Sequence, residues 1–392
     1  MKNKMIQGGK QIIVLLLACC LLSGSIPLAS AKNLPHGWAG KKVKWQYNPA
    51  SQTLTFSGKG GMYVSDDVEG NPFGHPEYHA YKKRIKKVVF EQGITSVGIG
   101  CCYNMKNLTK VRFSKSIKWI EEGAFKNCVK LKNVTLPPHL KSIGTHAFYN
   151  TAVSKLKLPE GFLEMQRETF QDRQLKTLNF PKSMKIFPQD LYYRNQDLKT
   201  YRIPAHMEEL ASWAFMGCDK LKSVTINKNL KKIGFYAFSG CKKLESVKLP
   251  ENAQLTEIGL DAFEGCSRLK SIKLPDTVKE IDQGAFMGCK ALKEVKLPEN
   301  LEAVQGFLFA KSGVECITIP SKVEEIHRWA FLECNKLKEI HIKSEVKDNV
   351  RNYSFGDVPE DCVIYVPAAK VEQYRGMFQK SGLDPNIQII GE

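Results

Sequence analysis

Six cysteines, Cys128, Cys218, Cys241, Cys266, Cys289 and Cys334, stand out first in this 392-residue chain. Thiols can ligate zinc, form disulfides or exchange electrons, and each role requires a particular spacing. Zinc needs convergent clusters such as C-x₂-C, and none occurs here. Each of these thiols instead lies three residues after an aromatic residue, in strings such as WAFMGCDKLKSV, YAFSGCKKLESV, DAFEGCSRLKSI and GAFMGCKALKEV. Met105 and Asn195 hold the same place in other copies, so the position accepts a medium-sized residue of either polarity. Side chains stacked in such a column sit about 5 Å apart, whereas a disulfide needs its Cβ atoms near about 3.8 Å. The column therefore predicts buried, unpaired thiols and no metal. Adjacent Cys101 and Cys102 read as core substitutes for the usual Ala-Phe pair, with a strained vicinal disulfide as the alternative.

The remaining candidates for chemistry are sparse. The eight histidines do not cluster in sequence with potential nucleophiles. His75 and His79 lie near Asp66, Asp67 and Glu69 in one loop, but their spacing matches no calcium or zinc loop. G-x-S-x-G, H-E-x-x-H, Walker and dinucleotide motifs are all absent. These readings predict no enzyme, no cofactor and no metal.

The elements that carry the cysteines are repeats. The aromatic ruler runs Phe125, Phe148, Phe170, Tyr192, Phe215, Phe238, Phe263, Phe286, Phe309 and Phe331, with Cys102 at the first place and Phe355 as a degenerate last member. A period of about 23 residues with recurrent leucines is the mark of a leucine-rich-repeat solenoid. In the unit LKNVTLPPHLKSIGTHAF, Leu131, Val134 and Leu136 predict a short parallel strand that Pro137 ends. Asn133 and Thr135 would face outward, Leu140 and Ile143 form a second apolar pair, and Ala147-Phe148 would open a helical or 3₁₀ turn. One unit cannot bury its own apolar edge, so about a dozen must stack.

The pattern IG-x-x-AF-x-x-C-x-x-L-x-x-V-x-LP resembles the bacterial BspA-like, or Treponema-type, leucine-rich repeat over roughly residues 88–342. VKWQYNPASQTLTFSGKGGM and RIKKVVFEQGITSVG are similar to the N-terminal β-cap of such proteins, and CVIYVPAAKVEQYRGMF to their closing segment. The expected architecture is thus an α/β repeat of short parallel strands and short helical turns, with a β-rich N-terminal cap over 32–87 and a closing segment over 343–392. The resemblance implies an exported or surface-exposed binding protein, with adhesion as the usual proposed role and no catalytic residues. The units at Phe148, Phe170 and Phe309 depart from it, being one residue shorter after the Phe and lacking the Cys.

Lys2, Lys4 and Lys10, then IIVLLLACCLL, then Ala29-Ser30-Ala31 have the three-part plan of a signal peptide, predicting cleavage after Ala31. Leu16-Leu17-Ala18-Cys19 also resembles a lipidation box, which makes an anchor at Cys19 the alternative. No other hydrophobic run approaches transmembrane length. The formal charge of +18 becomes +15 without those three lysines. That balance favours an anionic partner such as an acidic glycan, cell-wall polymer or matrix protein, with no specific nucleic-acid motif.

The residue between the two inward positions of each strand forms a predicted outer column: Val89, Arg112, Thr135, Lys157, Asn179, Arg202, Thr225, Lys248, Lys273, Lys296, Thr318 and His341. The six cations Arg112, Lys157, Arg202, Lys248, Lys273 and Lys296 are the candidate ligand-binding residues, and the column holds no acid. Lysine on such a face also serves simply to solubilise a sheet and discourage edge pairing. A second candidate set, Trp213, Tyr236, Phe307 and Trp329, either stacks on sugar faces or packs between turns. Recognition of a host matrix, glycan or neighbouring cell surface is the expected function. A self-associating envelope protein is the alternative, and a hydrolase within 32–87 a remote third.

Overall fold

A short apolar strand, in many units ended by Pro, followed by a second short apolar pair and a turn at the ruler residue, gives the chain three sides per repeat. The computed structural model describes residues 34–62, 76–170, 175–344, 350–351, 353–355 and 357–392. The segment 1–31 and the loop bearing Asp66, Asp67, Glu69 and His75 lie outside the described residues. The repeats wind into a parallel-strand solenoid of about 13 turns.

One side is a ladder of strands such as Ser223–Thr225, Ser246–Lys248 and Cys316–Ile319, paired in parallel with the next coil in unshifted register. A second side stacks two-residue strands such as Glu209–Leu210, Lys232–Ile233 and Glu257–Ile258. Glycine is required there by close approach: a Cβ on Gly234 would lie 2.7 Å from Leu210 O and Ser212 N of the preceding coil.

The third side differs from expectation. No helix forms after the Ala-Phe pairs; the segments are tight turns, and helix makes up only about 5% of the chain. The residue two before each ruler has positive φ, for example +57° at Trp213, +54° at Tyr236 and +60° at Trp329, which interrupts any helical run. The N–H groups turn outward to the following coil instead, as in Phe215 N to Ala237 O at 2.8 Å and Phe238 N to Ala262 O at 2.8 Å.

The unit read as a strand through Val134 also departs from expectation: residues 131–137 form no ladder, while Asn133 and Thr135 are exposed as expected. The shorter coil beyond it gives its Ala152 N–H to Leu131 O at 2.9 Å, ahead of the expected pairing.

At the N-terminus, β1 (His36–Gly40), β2 (Val43–Asn48) and β3 (Thr53–Gly58) form an antiparallel meander. It is not set apart from the repeats, because β3 pairs in parallel with β4 (Lys87–Phe90), so the same sheet continues into the solenoid. A helix, α1 (Pro76–Lys82), precedes β4. At the other end the strands Val363–Val366 and Gln388–Gly391 continue the sheet in parallel, with α2 (Val371–Lys380) between them in the chain. No described helix is long and apolar enough to cross a membrane.

The core is the stacked interior of the coils. Ruler rings lie face to face, 5.3 Å apart for Phe215–Phe238, 5.2 Å for Phe238–Phe263 and 5.5 Å for Phe263–Phe286. The stack has one break: among the described residues no ring contact joins Phe170 to Tyr192, and no backbone rung links the strands on either side over one full circuit. Pro188 contributes to this seam. It stands where Gly144, Ala211 and Gly234 donate to the previous coil, and proline has no N–H to give.

Candidate functional site

The predicted outer column exists as geometry, in separate runs. Arg202 pairs with Thr225 and Thr225 with Lys248; Lys273 follows Ile272, which pairs with Val247, and so stands beside Lys248. Lys157 pairs with Asn179, Arg112 with Val89, and Lys296 with Thr318 and then His341. The seam separates Asn179 from Arg202. Val89 departs from expectation, being buried, whereas all six cations are exposed. Among the described ion pairs only Lys296 of the six is engaged, with Glu299 at 3.7 Å.

The column reading missed a second cationic row. Lys87, Lys110 and Lys155 lie two residues earlier on the same face, all exposed, with Lys87 directly opposite Lys110. Period-two alternation carried one step further would have found them. Like charges placed side by side repel, so this face gains from an anion that neutralises both rows. Towards the C-terminal end the same row changes to Glu294, Cys316 and Glu339.

The cysteine column is interior. Each thiol is buried and donates to the carbonyl of a residue in the preceding coil: Cys218 to Tyr192, Cys241 to Phe215, Cys266 to Phe238, Cys289 to Phe263 and Cys334 to Phe309, at 3.0 to 3.2 Å. Burial pushes the Cys334 thiol up to about 11 and raises that of Cys241 well above its ordinary value, which suppresses thiolate chemistry. The Cys101 and Cys102 sulfurs are 3.8 Å apart, hydrogen-bonded to one another and not joined in a disulfide.

The aromatic set forms two half-exposed pairs. Trp213 and Tyr236 stack 6.3 Å apart, and Phe307 lies 5.0 Å from Trp329. Arg167 covers Trp213 at 5.3 Å and Arg328 covers Trp329 at 4.8 Å. Two grooves follow the seam. One of about 450 Å³ has the exposed side chains of Leu163 and Ile186 at its lips, and one of about 260 Å³ is lined by Arg167, Glu168, Asp190, Tyr193, Trp213 and Met216. Burial pushes the Asp190 carboxyl up to about 6, opposed by Arg167 and assisted by Glu168.

A parallel-β solenoid with a stacked Phe core and a polar outer sheet defines the class as a leucine-rich-repeat protein. The chain belongs to the family described as BspA type Leucine rich repeat region, which matches residues 76–199, 185–273 and 256–381 in six copies. This is a repeat family, and no catalytic family is indicated. No curated protein matches the chain. Among solved structures, the chain is similar to a leucine-rich repeat protein from Eubacterium ventriosum, with 17% identity, 83% of this chain and 95% of that chain covered, and a TM-score of 0.46. It is also similar to a leucine rich cell surface protein from Faecalibacterium prausnitzii (21% identity, 92% and 96% covered, TM-score 0.43). A third is the pneumococcal vaccine antigen PcpA (20% identity, 90% and 97% covered, TM-score 0.44).

Proposed function

We propose that this protein is an exported or surface-associated recognition protein that binds an anionic glycan, or an acidic protein surface, along its outer sheet without bond chemistry. The observation that carries this reading is the run Arg202, Thr225, Lys248 and Lys273 on four successive rungs, of which the three cations are exposed and have no ion-pair partner among the described residues. Rungs repeat at about 4.8 Å, so a polymer with regularly spaced charges can meet several of them at once. The family membership and the predicted signal segment 1–31 support export, and residues 32–87 and 343–392 are read as the segments that close the two ends.

The test is binding of the full chain to an array of sulfated and uronic-acid glycans and matrix proteins at two salt concentrations. Lys248→Glu, Lys273→Glu and Lys296→Glu together are expected to abolish binding, and wild-type affinity is expected to fall steeply with salt. Unchanged binding of the triple variant in low salt would overturn the reading.

A further inference from the structure

At the C-terminal end of the outer sheet the basic rows give way to a different set of donors. Cys316 lies directly across from Glu339, and His341 stands two residues on from Glu339 on the same face of the neighbouring strand. The Cys316 sulfur, a Glu339 carboxylate oxygen and a His341 ring nitrogen all lie within 4.8 Å of one another. Cys316 is the one cysteine of the described residues that is not buried, and it falls outside the periodic column.

We propose that Cys316, Glu339 and His341 form a zinc-binding site that nothing in the repeat pattern requires. Thiolate, imidazole and carboxylate are the three donor types zinc accepts, at about 2.0 to 2.3 Å, and tetrahedral ligands at those distances stand about 3.3 to 3.6 Å from one another. His341 Nε2 is 3.6 Å from Glu339 Oε2, so closure onto an ion needs little movement.

The histidine is already oriented for this role. Its Nδ1 is 2.9 Å from a Glu392 carboxylate oxygen, which fixes the tautomer that donates from Nδ1 and leaves the Nε2 lone pair facing the other donors. The ring also lies flat against Tyr365, with centroids 4.5 Å apart and planes within 7°. Zinc binding converts the Cys316 thiol to thiolate and releases its proton to solvent, so affinity rises with pH. Three protein ligands leave a fourth position on the solvent side for water.

The site went unseen in the sequence because zinc motifs are sought as local pairs. Here the ligands are supplied one coil apart, by residues 316 and 339, and by the two-residue alternation that brings 341 to the same face. The expectation of no metal rested on the absence of C-x₂-C spacing, a rule that does not cover ligands assembled by a ladder.

The test is titration of the full chain, kept reduced, with Co²⁺ as a spectroscopic stand-in and Zn²⁺ as competitor. One equivalent of Co²⁺ is expected to give a thiolate-to-cobalt charge-transfer band that Zn²⁺ abolishes. Cys316→Ser and His341→Ala should remove the band, Glu392→Gln should weaken binding about 10- to 100-fold, and Lys273→Ala on the same face should leave it intact. A band that persists in Cys316→Ser, or no band at all, overturns the proposal. Alkylation of Cys316 in the wild-type chain, followed by peptide mass spectrometry, does not depend on any variant folding. Zn²⁺ is expected to slow it at least about tenfold, consistent with thiolate ligation, and an unchanged rate also overturns the proposal.

Discussion

A periodic cysteine such as Cys241 matters through what its sulfur touches. The thiol fills interior space and donates to Phe215 O at 3.1 Å, so Cys241→Ala loses packing and a hydrogen bond together. The expected cost is about 1 to 3 kcal/mol, read from denaturant melts, and an unchanged midpoint would contradict the assignment. Asp190 makes a prediction of a different sign. Its folded-state carboxyl titrates near 6, above its ordinary 3.8, so folding favours the protonated form. The stability this group contributes is complete below pH about 3.8 and is lost as pH rises through about 6. Asn tolerates the positive φ of +54° at this position. Wild-type melting temperatures should therefore fall relative to Asp190→Asn between pH 4 and 6, by the equivalent of about 1 kcal/mol or less because the group is half exposed to screening solvent. Parallel pH profiles for the two proteins would contradict this.

At the scale of elements the coils are held by rungs on as many as three sides; pairing lapses on one side at 131–137 and on two between 271–281 and 294–304, but among the described residues all three sides open together only at the seam. Stability in a solenoid is close to a sum of unit terms and nearest-neighbour interfaces. The interface between the coils of Phe170 and Tyr192 should accordingly be the weakest. Hydrogen exchange is expected to show two cooperative blocks, one on each side of residues 180–200, with the weaker block opening first. A single block spanning 88–342 would refute the seam. Much of this was legible, since Pro188 stands where other units carry residues with an N–H. The third side was not. The Ala-Phe string suggests a helical turn, yet Trp213 and Tyr236 adopt positive φ, a conformation costly to bulky residues that only coil-to-coil hydrogen bonds and stacking can hold.

For the whole molecule, the outer sheet is graded. Lys87, Lys110, Arg112, Lys155 and Lys157 make the N-terminal part strongly cationic, while Glu294, Cys316, Glu339 and His341 close the other end. Recognition of a polyanion would then weaken steeply with salt, since exposed charges are screened beyond about 10 Å at 0.1 M ionic strength. The zinc site lies beyond the end of that cationic surface, so loss of glycan binding in the triple lysine variant and loss of zinc in Cys316→Ser are separable results.

The repeat period, the inward apolar positions, the buried cysteine column and the outer row of cations were all determined by the sequence alone. Each is a local periodicity, and stacking a periodic unit converts recurrence along the chain directly into adjacency in space. Only the tertiary structure decided which rungs close, where the seam opens, that Val89 is buried, and that residues 316, 339, 341 and 392 meet. Those outcomes depend on how one coil seats on the next, through backbone hydrogen bonds and side chains that are neighbours in space but lie a whole coil or more apart in the chain.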